Sequence, residues 1–521
     1  MMTRDEFFRA LLAAAKEAGA DEAEAYFAED ESFRALATKG VIENYAVNTA
    51  GGLSLRVLKD GKMGSSFTEA LDEEAIPMLV KNALASAALI DDKDEQFIFA
   101  GSPEYQKIDC TGDAGTPEER IAMALKIERE AREMDPRVTE TSLGTGVETE
   151  HTTIRLINTR GLDLTHSSDL SVCMAGTIAR EGKRTTTGHA YDFKRSFSTL
   201  EPDRICREAV EDATSKLPAA PCKSGAMPAI FRNTCMVSLL GTFSGVFSAD
   251  AAQKGLSLLK GREGEKIAAE CVTLVDDPLM EGGLASRPFD GEGVATYRKE
   301  VIANGMLTTL LHNLKTAKKA GCQSTGNAAR GGYTSPAMGV APMNFHFKPG
   351  EDDLDALCAK MGEGIVITGV SGLHAGANAV SGDFSLLAEG YLVKDGKKGQ
   401  PVEQVTVAGN FFQVLKDVVA VGSDLKFPGG MGSPSVWVKD ISVAGKYGAT
   451  PKRKVQGTQF PGRGCRGTAS PCLRMRPQPP KPRAMFARSA DELARQHGAE
   501  TPSGRCRNLR FLPGVLGGRA P

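Results

Sequence analysis

Seven histidines are spread over 521 residues: His151, His166, His189, His312, His346, His374 and His497. A zinc peptidase helix needs two His one turn apart with a Glu beside them. Both rings then meet the metal on one face, and the carboxylate takes the proton from bound water. None of these His is followed by Glu, and no two sit a helical turn apart. A local zinc motif is therefore excluded. A metal site assembled from distant residues, such as His189 with His374, stays open beside the ordinary role of a lone His in packing or hydrogen bonding.

The run Ser324–Gly332, Ser-Thr-Gly-Asn-Ala-Ala-Arg-Gly-Gly, places glycines beside a cation. It lacks the Gly-Lys-Ser/Thr of a phosphate loop. As a site it would be a cleft-lining loop in which Thr325, Gly326 and Asn327 offer amides and side chains, and Arg330 holds a peptide carboxylate or carbonyl. As plain structure it would be a surface turn. The acid pairs Asp276-Asp277 and Asp290/Glu292 could hold metal or exchange protons, although such acids more often cap turns. No Gly-x-Ser-x-Gly elbow points to a serine hydrolase. Eleven Cys without CxxC pairing mark no nucleophile.

The elements that must position these residues are helices mixed with strands. Thr3 and Glu6 form a capping box ahead of a stripe of Phe7, Leu11, Ala14 and Ala15 that ends at Gly19. Short strands are expected at Ala23–Ala28, Phe33–Thr38 and Val41–Val47. A hairpin through Asp60-Gly61 joins Leu53–Val57 to Gly64–Thr68. Helices follow at Glu73–Leu89, after Thr116-Pro117 (stripe Ile121, Leu125, Ala131, Met134) and at Pro202–Leu217. Strands lie at Ile154–Ile157, Leu162–Thr165 and Leu170–Ile178. Pro218 and Pro221 stiffen a connection that divides residues 1–217 from 222–446. The second half carries a strand at Ala229–Phe231 and a helix at Met236–Ala252. It continues with hairpins through Asn304-Gly305 and Asp395-Gly396, helices at Asp353–Met361 and Phe411–Val421, and a last strand at Ser435–Val443. The expected class is α+β: two domains of helices and antiparallel sheet.

Charge divides the chain further. Residues 1–446 carry a net of −14 and residues 447–521 a net of +12. An acidic body is a poor nucleic-acid binder, so only the basic tail could serve there. That tail is rich in Arg, Pro and Gly and too poor in periodic apolar residues to order itself; disorder is expected. With charges at once and no apolar stretch at the N-terminus, no leader sequence is expected. The weakly polar run Cys235–Ala249 is too short to cross a bilayer. Dispersed thiols then suggest a reducing, cytoplasmic setting without membrane contact.

Several segments occur together in order: Leu274–Pro278, Phe289–Val294, Ile302–Leu307, Ser324–Arg330, Ser381–Ser385 and Gly432–Ser435. With Gly19–Glu24 and Gly52–Val57, they resemble the TldD/PmbA family over about residues 3–446. The resemblance implies a two-subunit metalloprotease of two related kinds of chain. The TldD kind carries His-Glu-x-x-x-His on a zinc helix; the PmbA (TldE) kind lacks it. The matching stretch here, near Leu239–Ala252, holds neither His nor Glu, and Gly372–Ser385 also resembles the PmbA kind. That run adds His374 and Asp383 to the cleft candidates. The resemblance carries over no catalytic or metal-ligating residue. It implies a zinc-free subunit that acts with a zinc-bearing TldD-like partner on peptides or unfolded segments. A homodimeric metallopeptidase with an atypical metal site and a non-enzymatic peptide-binding module are the alternatives.

Overall fold

The computed structural model describes residues 2–445, apart from 91–93, 95, 143 and 336. The basic tail at 447–521 lies outside the described residues. Helices and sheets are mixed throughout, as an α+β chain requires.

The first helix, Arg4–Glu17, opens on the expected Thr3–Glu6 capping box. It buries Phe7, Phe8, Leu11, Leu12 and Ala15, a wider stripe than the one read from sequence. These side chains pack with Phe27, Leu53, Leu55 and Val57 and with the helix Ala75–Leu89. The strand segments expected at 23–28 and 33–38 are one strand, Glu22–Thr38, which turns at Lys39-Gly40 into Val41–Lys59. Asp60-Gly61 then turns that strand into Lys62–Thr68. Gly146–Asn158, Asp163–Glu181, Arg184–Lys194 and Val138–Thr141 complete a seven-stranded sheet.

Arg184–Lys194 escaped the sequence reading because its inward residues are Thr186, Gly188, Ala190 and Asp192, which give no apolar alternation. Their smallness has a cause. The helix Pro202–Ser215 lies so close that a Cβ on Gly188 would fall 2.1 Å from the Ala209 carbonyl oxygen. The helix Pro117–Glu133 keeps its capping box and N-terminal proline, but it buries Ala124, Ile127, Glu128 and Ala131. The expected stripe through Ile121 and Leu125 is thus rotated: those two side chains are only partly buried.

The second half is built on a six-stranded sheet in which Gly225–Phe231 lies between Gly364–Ser371 and Val436–Ala444. Residues 406–408 also pair with 442–444 and close this sheet on itself. A five-stranded sheet holds Leu274–Asp276 and Lys299–Ala303, with Asn304-Gly305 in the left-handed conformation an Asn-Gly hairpin needs. The sheets are mainly antiparallel, with parallel exceptions between 229–231 and 365–367 and between 345–346 and 431–432.

Two expected helices are corrected. Met236–Ala252 is a helix at Asn233–Phe243, a tight turn at Ser244–Phe247 and a short helix at Ala249–Gln253. Phe411–Val421 is a helix only to Lys416; the β-branched run Val418–Val421 is a strand paired with Val436–Val438.

The two halves meet over Tyr26, Ala28, Ile154, Leu156, Leu162 and Phe289. Ion pairs Arg184–Glu403 (2.6 Å), Lys216–Glu389 (2.9 Å) and Lys426–Glu208 (3.1 Å) also cross this junction. Among the described residues, no helix is long and apolar enough to cross a membrane.

Candidate functional site

The Ser324–Arg330 segment lies inside the molecule. Asn327 is fully buried: its Nδ2 donates to Asp276 Oδ2 (3.0 Å) and to the Ala341 carbonyl (3.1 Å). Lys299 Nζ donates to Asp276 Oδ2 (2.8 Å) and Asn327 Oδ1 (3.2 Å), and Asp276 Oδ1 accepts from Met343 N–H (2.5 Å). The Thr325 hydroxyl stands 2.8 Å from Asn327 Oδ1 and accepts the His312 N–H at 2.6 Å. Gly326 makes the turn between them at φ 68°, where a Cβ would sit 2.9 Å from the Ala295 carbonyl oxygen. Each buried charge here has an opposite charge or a hydrogen-bond donor against it, which is the condition for keeping a charge away from water.

Arg330 ties the two halves together. Its guanidinium bonds Glu24 of the first sheet, its Nε donates to the Gly291 carbonyl (2.7 Å), and it lies 4.6 Å from the Tyr26 ring centre. Arg56 adds a second cation 3.4 Å from Glu24. Beside them lie two more buried carboxylates. Asp290 accepts three backbone N–H groups, from Glu292, Val294 and Ala328, at 2.9–3.0 Å. Burial, reinforced by the Glu292 charge, nevertheless pushes its pKa up to about 7. Burial also raises Glu292, against the pull of Arg56 and of the Leu314 N–H that it accepts.

The remaining two candidates sit elsewhere. His374 is exposed on the short helix Leu373–Gly376. Asp383 is exposed at the start of the strand Asp383–Lys394, where Ser381 Oγ (2.8 Å) and Asn410 Nδ2 (2.9 Å) donate to it. Those hydrogen bonds hold its carboxyl below the usual carboxylate range. Thr325, Gly326, Asn327 and Arg330 thus form one buried group. Among the described residues, no hydrogen bond or ion pair joins that group to His374 or Asp383. Lys299, Glu24 and Arg56 were not among the site candidates read from sequence, although Glu24 and Arg56 lie in segments that carry the family resemblance. Lys299 lies 28 positions from Asn327 and Glu24 lies 306 from Arg330, so local spacing carries no sign of either contact.

The helix Asn233–Phe243 carries no His, Asp or Glu. Its partly exposed side holds the hydroxyls of Thr234, Ser238 and Thr242; Ser238 and Thr242 bond back to the helix at 3.1 and 2.8 Å. The one acid that follows, Asp250, is paired with Lys254 at 2.8 Å. His189 lies on the strand Arg184–Lys194, its backbone N–H donated to Asp212. Among the described residues, no three His, Cys, Asp or Glu side chains converge to hold a metal ion. The described residues of this stretch thus lack the three-ligand set that a catalytic zinc needs.

Three family models match in succession. They are the PmbA/TldA metallopeptidase domain 1 at 23–87, the central domain at 113–217 and the C-terminal domain at 224–445. A Thermotoga maritima protein described as a proposed modulator of a DNA gyrase is 35% identical. It superposes with a TM-score of 0.78 over 85% of this chain and 100% of its own. TldE from Thermococcus kodakarensis shares the fold at 22% identity, with a TM-score of 0.77 over 84% of this chain and 100% of its own. The Escherichia coli metalloprotease PmbA is 27% identical over 416 residues, 78% of this chain and 88% of that protein. By these matches, which run from the first sheet through the last strand, the chain belongs to the PmbA/TldD metallopeptidase family.

Proposed function

We propose that this chain is a PmbA/TldE-like, zinc-free subunit of a heteromeric metalloprotease that cleaves peptides or unfolded segments. One observation carries the reading: the stretch where a TldD-like chain would hold its zinc offers hydroxyls and apolar side chains in place of His and Glu. The partner supplies the metal, which activates water and polarises the scissile carbonyl. This chain contributes walls and contacts for an extended substrate. The buried Asn327 and Arg330 serve by holding the wall in shape, while the exposed His374 and Asp383 are the residues able to meet substrate directly. A cytoplasmic setting follows from the same reading, since the free thiols at Cys271 and Cys322 are exposed.

Co-expression with a TldD-like protein from the same genome tests the proposal. The mixture should cut an unstructured peptide, and each chain alone should be nearly silent. Glu→Gln in the partner's motif should abolish cutting. Chelator-sensitive cleavage by this chain alone would establish the homodimeric metallopeptidase instead. Peptide binding without cleavage under any pairing would establish the binding module.

A further inference from the structure

Where the two halves meet, residues 283–289 of the second lie against the first. Cys110 Sγ donates to the Ser286 carbonyl (3.3 Å) and Arg195 Nη2 to the Gly283 carbonyl (2.5 Å). The His166 ring stands edge-on to Phe289, with 6.4 Å between centres. The segment is held in place by Asn344, which accepts the Ala285 N–H (2.9 Å) and donates to Ser286 Oγ (2.8 Å). Arg287 belongs to this same segment. Arg195, Arg287 and His166, each half-buried, therefore gather at one seam.

The two arginines lack an anion. The Arg195 guanidinium is aimed by two carbonyls, those of Asp169 (2.9 Å) and Gly283, and its Nε–H is buried with no acceptor. A buried donor left unpaired is rare in folded proteins. Among the described residues, the Arg287 side chain makes no hydrogen bond or ion pair. The Asp169 carboxylate cannot serve either cation fully, because it is committed to His151 Nδ1 (2.7 Å) and the Gly112 N–H (2.9 Å).

The charges feel one another. Burial lowers the Arg195 pKa, and the Arg287 charge pushes the same way against the pull of Cys110 and Asp169. Burial also takes the His166 pKa down to about 4, with Arg287 and Arg195 adding to the drop. His166 is thus neutral at physiological pH and can offer an N–H without further repulsion. Guanidinium forks match the paired oxygens of a carboxylate or phosphate, and such a charge would offset the two that face each other here.

We propose that this seam binds one oxyanion of the carboxylate or phosphate class, gripped by Arg195 and Arg287 with His166 as a neutral donor. Arg195 and His166 come from the first half and Arg287 from the second, so the bound anion braces the junction. The proposal uses no part of the zinc-free reading.

Calorimetric titration and thermal unfolding of the full chain test it, with inorganic phosphate as probe and chloride at matched ionic strength as control. Phosphate should bind saturably and raise Tm beyond the chloride effect. Arg287→Gln should weaken that binding roughly tenfold or more. Its anion-free Tm should hold or rise, because the side chain replaced bonds nothing and faces a like charge. Arg287→Lys keeps the charge without the fork and should bind between the two. Tighter binding of phosphate assigns the site to a free oxyanion. Tighter binding of an acetylated tripeptide with a free C-terminus, lost on amidation, assigns it to a chain terminus. Binding of neither probe would overturn the proposal, as would equal effects of phosphate and chloride or binding indifferent to Arg287→Gln. A fall of several degrees in the anion-free Tm of Arg287→Gln would also overturn it, since the guanidinium would then already have a partner.

Discussion

The segments Ser324–Arg330 and Gly372–Asp383 look alike in sequence: both are glycine-punctuated, polar and interrupted by a charge. The fold uses them in opposite ways. In the first, Asn327 is fully buried and Arg330 is consumed by contacts to both halves. In the second, His374 and Asp383 stand in solvent, and the Asp383 carboxylate accepts from Ser381 of its own turn and Asn410 of the neighbouring strand. Glycine-rich polar motifs therefore carry two messages that composition does not separate. One is a buried polar joint, where glycine lets the backbone approach. The other is an exposed loop free to meet a ligand.

Substitutions can sharpen or break this contrast. The largest effect is expected from Asp276→Ala. It strands the Lys299 ammonium in the interior with no carboxylate, only Asn327 Oδ1 and the Tyr297 ring face, and an uncompensated buried charge costs about 3–5 kcal/mol. Urea unfolding of the full chain measures it, and a loss below about 1 kcal/mol would mean that water reaches this network. Next comes Arg330→Ala, which leaves Glu24 with Arg56 alone and should cost about 2–3 kcal/mol. It should also speed proteolysis at the 218–223 connection, since the tie between the halves is lost. Arg330→Lys should recover little, because an ammonium cannot repeat the planar fork to Gly291 and Glu24.

A third expectation concerns pH. Asp290 titrates at about 7 in the fold and near 3.8 when exposed. The folded state thus binds the proton more tightly across that window. Stability should be highest at the acid end and fall as pH rises towards 7, by about 2 kcal/mol between pH 5 and 8. Asp290→Asn should flatten that slope whatever it does to overall stability. An unchanged slope would assign the pH dependence to other groups. The smallest effect belongs to the exposed segment. His374→Ala should change stability by less than about 0.5 kcal/mol. If the segment lines a substrate path, the same variant should still raise KM in the mixture with a TldD-like partner.

Much of the first half was legible because its signals are local. The Thr3–Glu6 and Thr116–Glu119 capping boxes, the Asp60-Gly61 turn and the alternation of Leu53, Leu55 and Val57 all act within a few residues. Arg184–Lys194 was missed where close helix packing demanded small residues in place of apolar ones. The candidate site was legible as a motif but not as a network. Asp276, Asn327 and Arg330 all stood out by type, yet their meaning depends on Lys299, Glu24 and Arg56. Those partners were brought by strand pairing over long separations. The helix at Phe411–Val421 failed for a different reason: a short apolar run has no period long enough to choose between helix and strand.

The last strand pairs with three others, and that sets a timetable for synthesis. Gly225–Phe231 leaves the ribosome early but needs Val436–Ala444 as a neighbour, and that strand is made about 200 residues later, roughly 10–40 s at ordinary elongation rates. The first sheet meets no such delay, since all its strands lie before Lys194. A nascent chain therefore spends much of its birth with one finished half and one half whose closing strand is missing. In that interval Phe231 and its neighbours are open to chaperones, and an interrupted message would yield a product with a sound front and an exposed, aggregation-prone back.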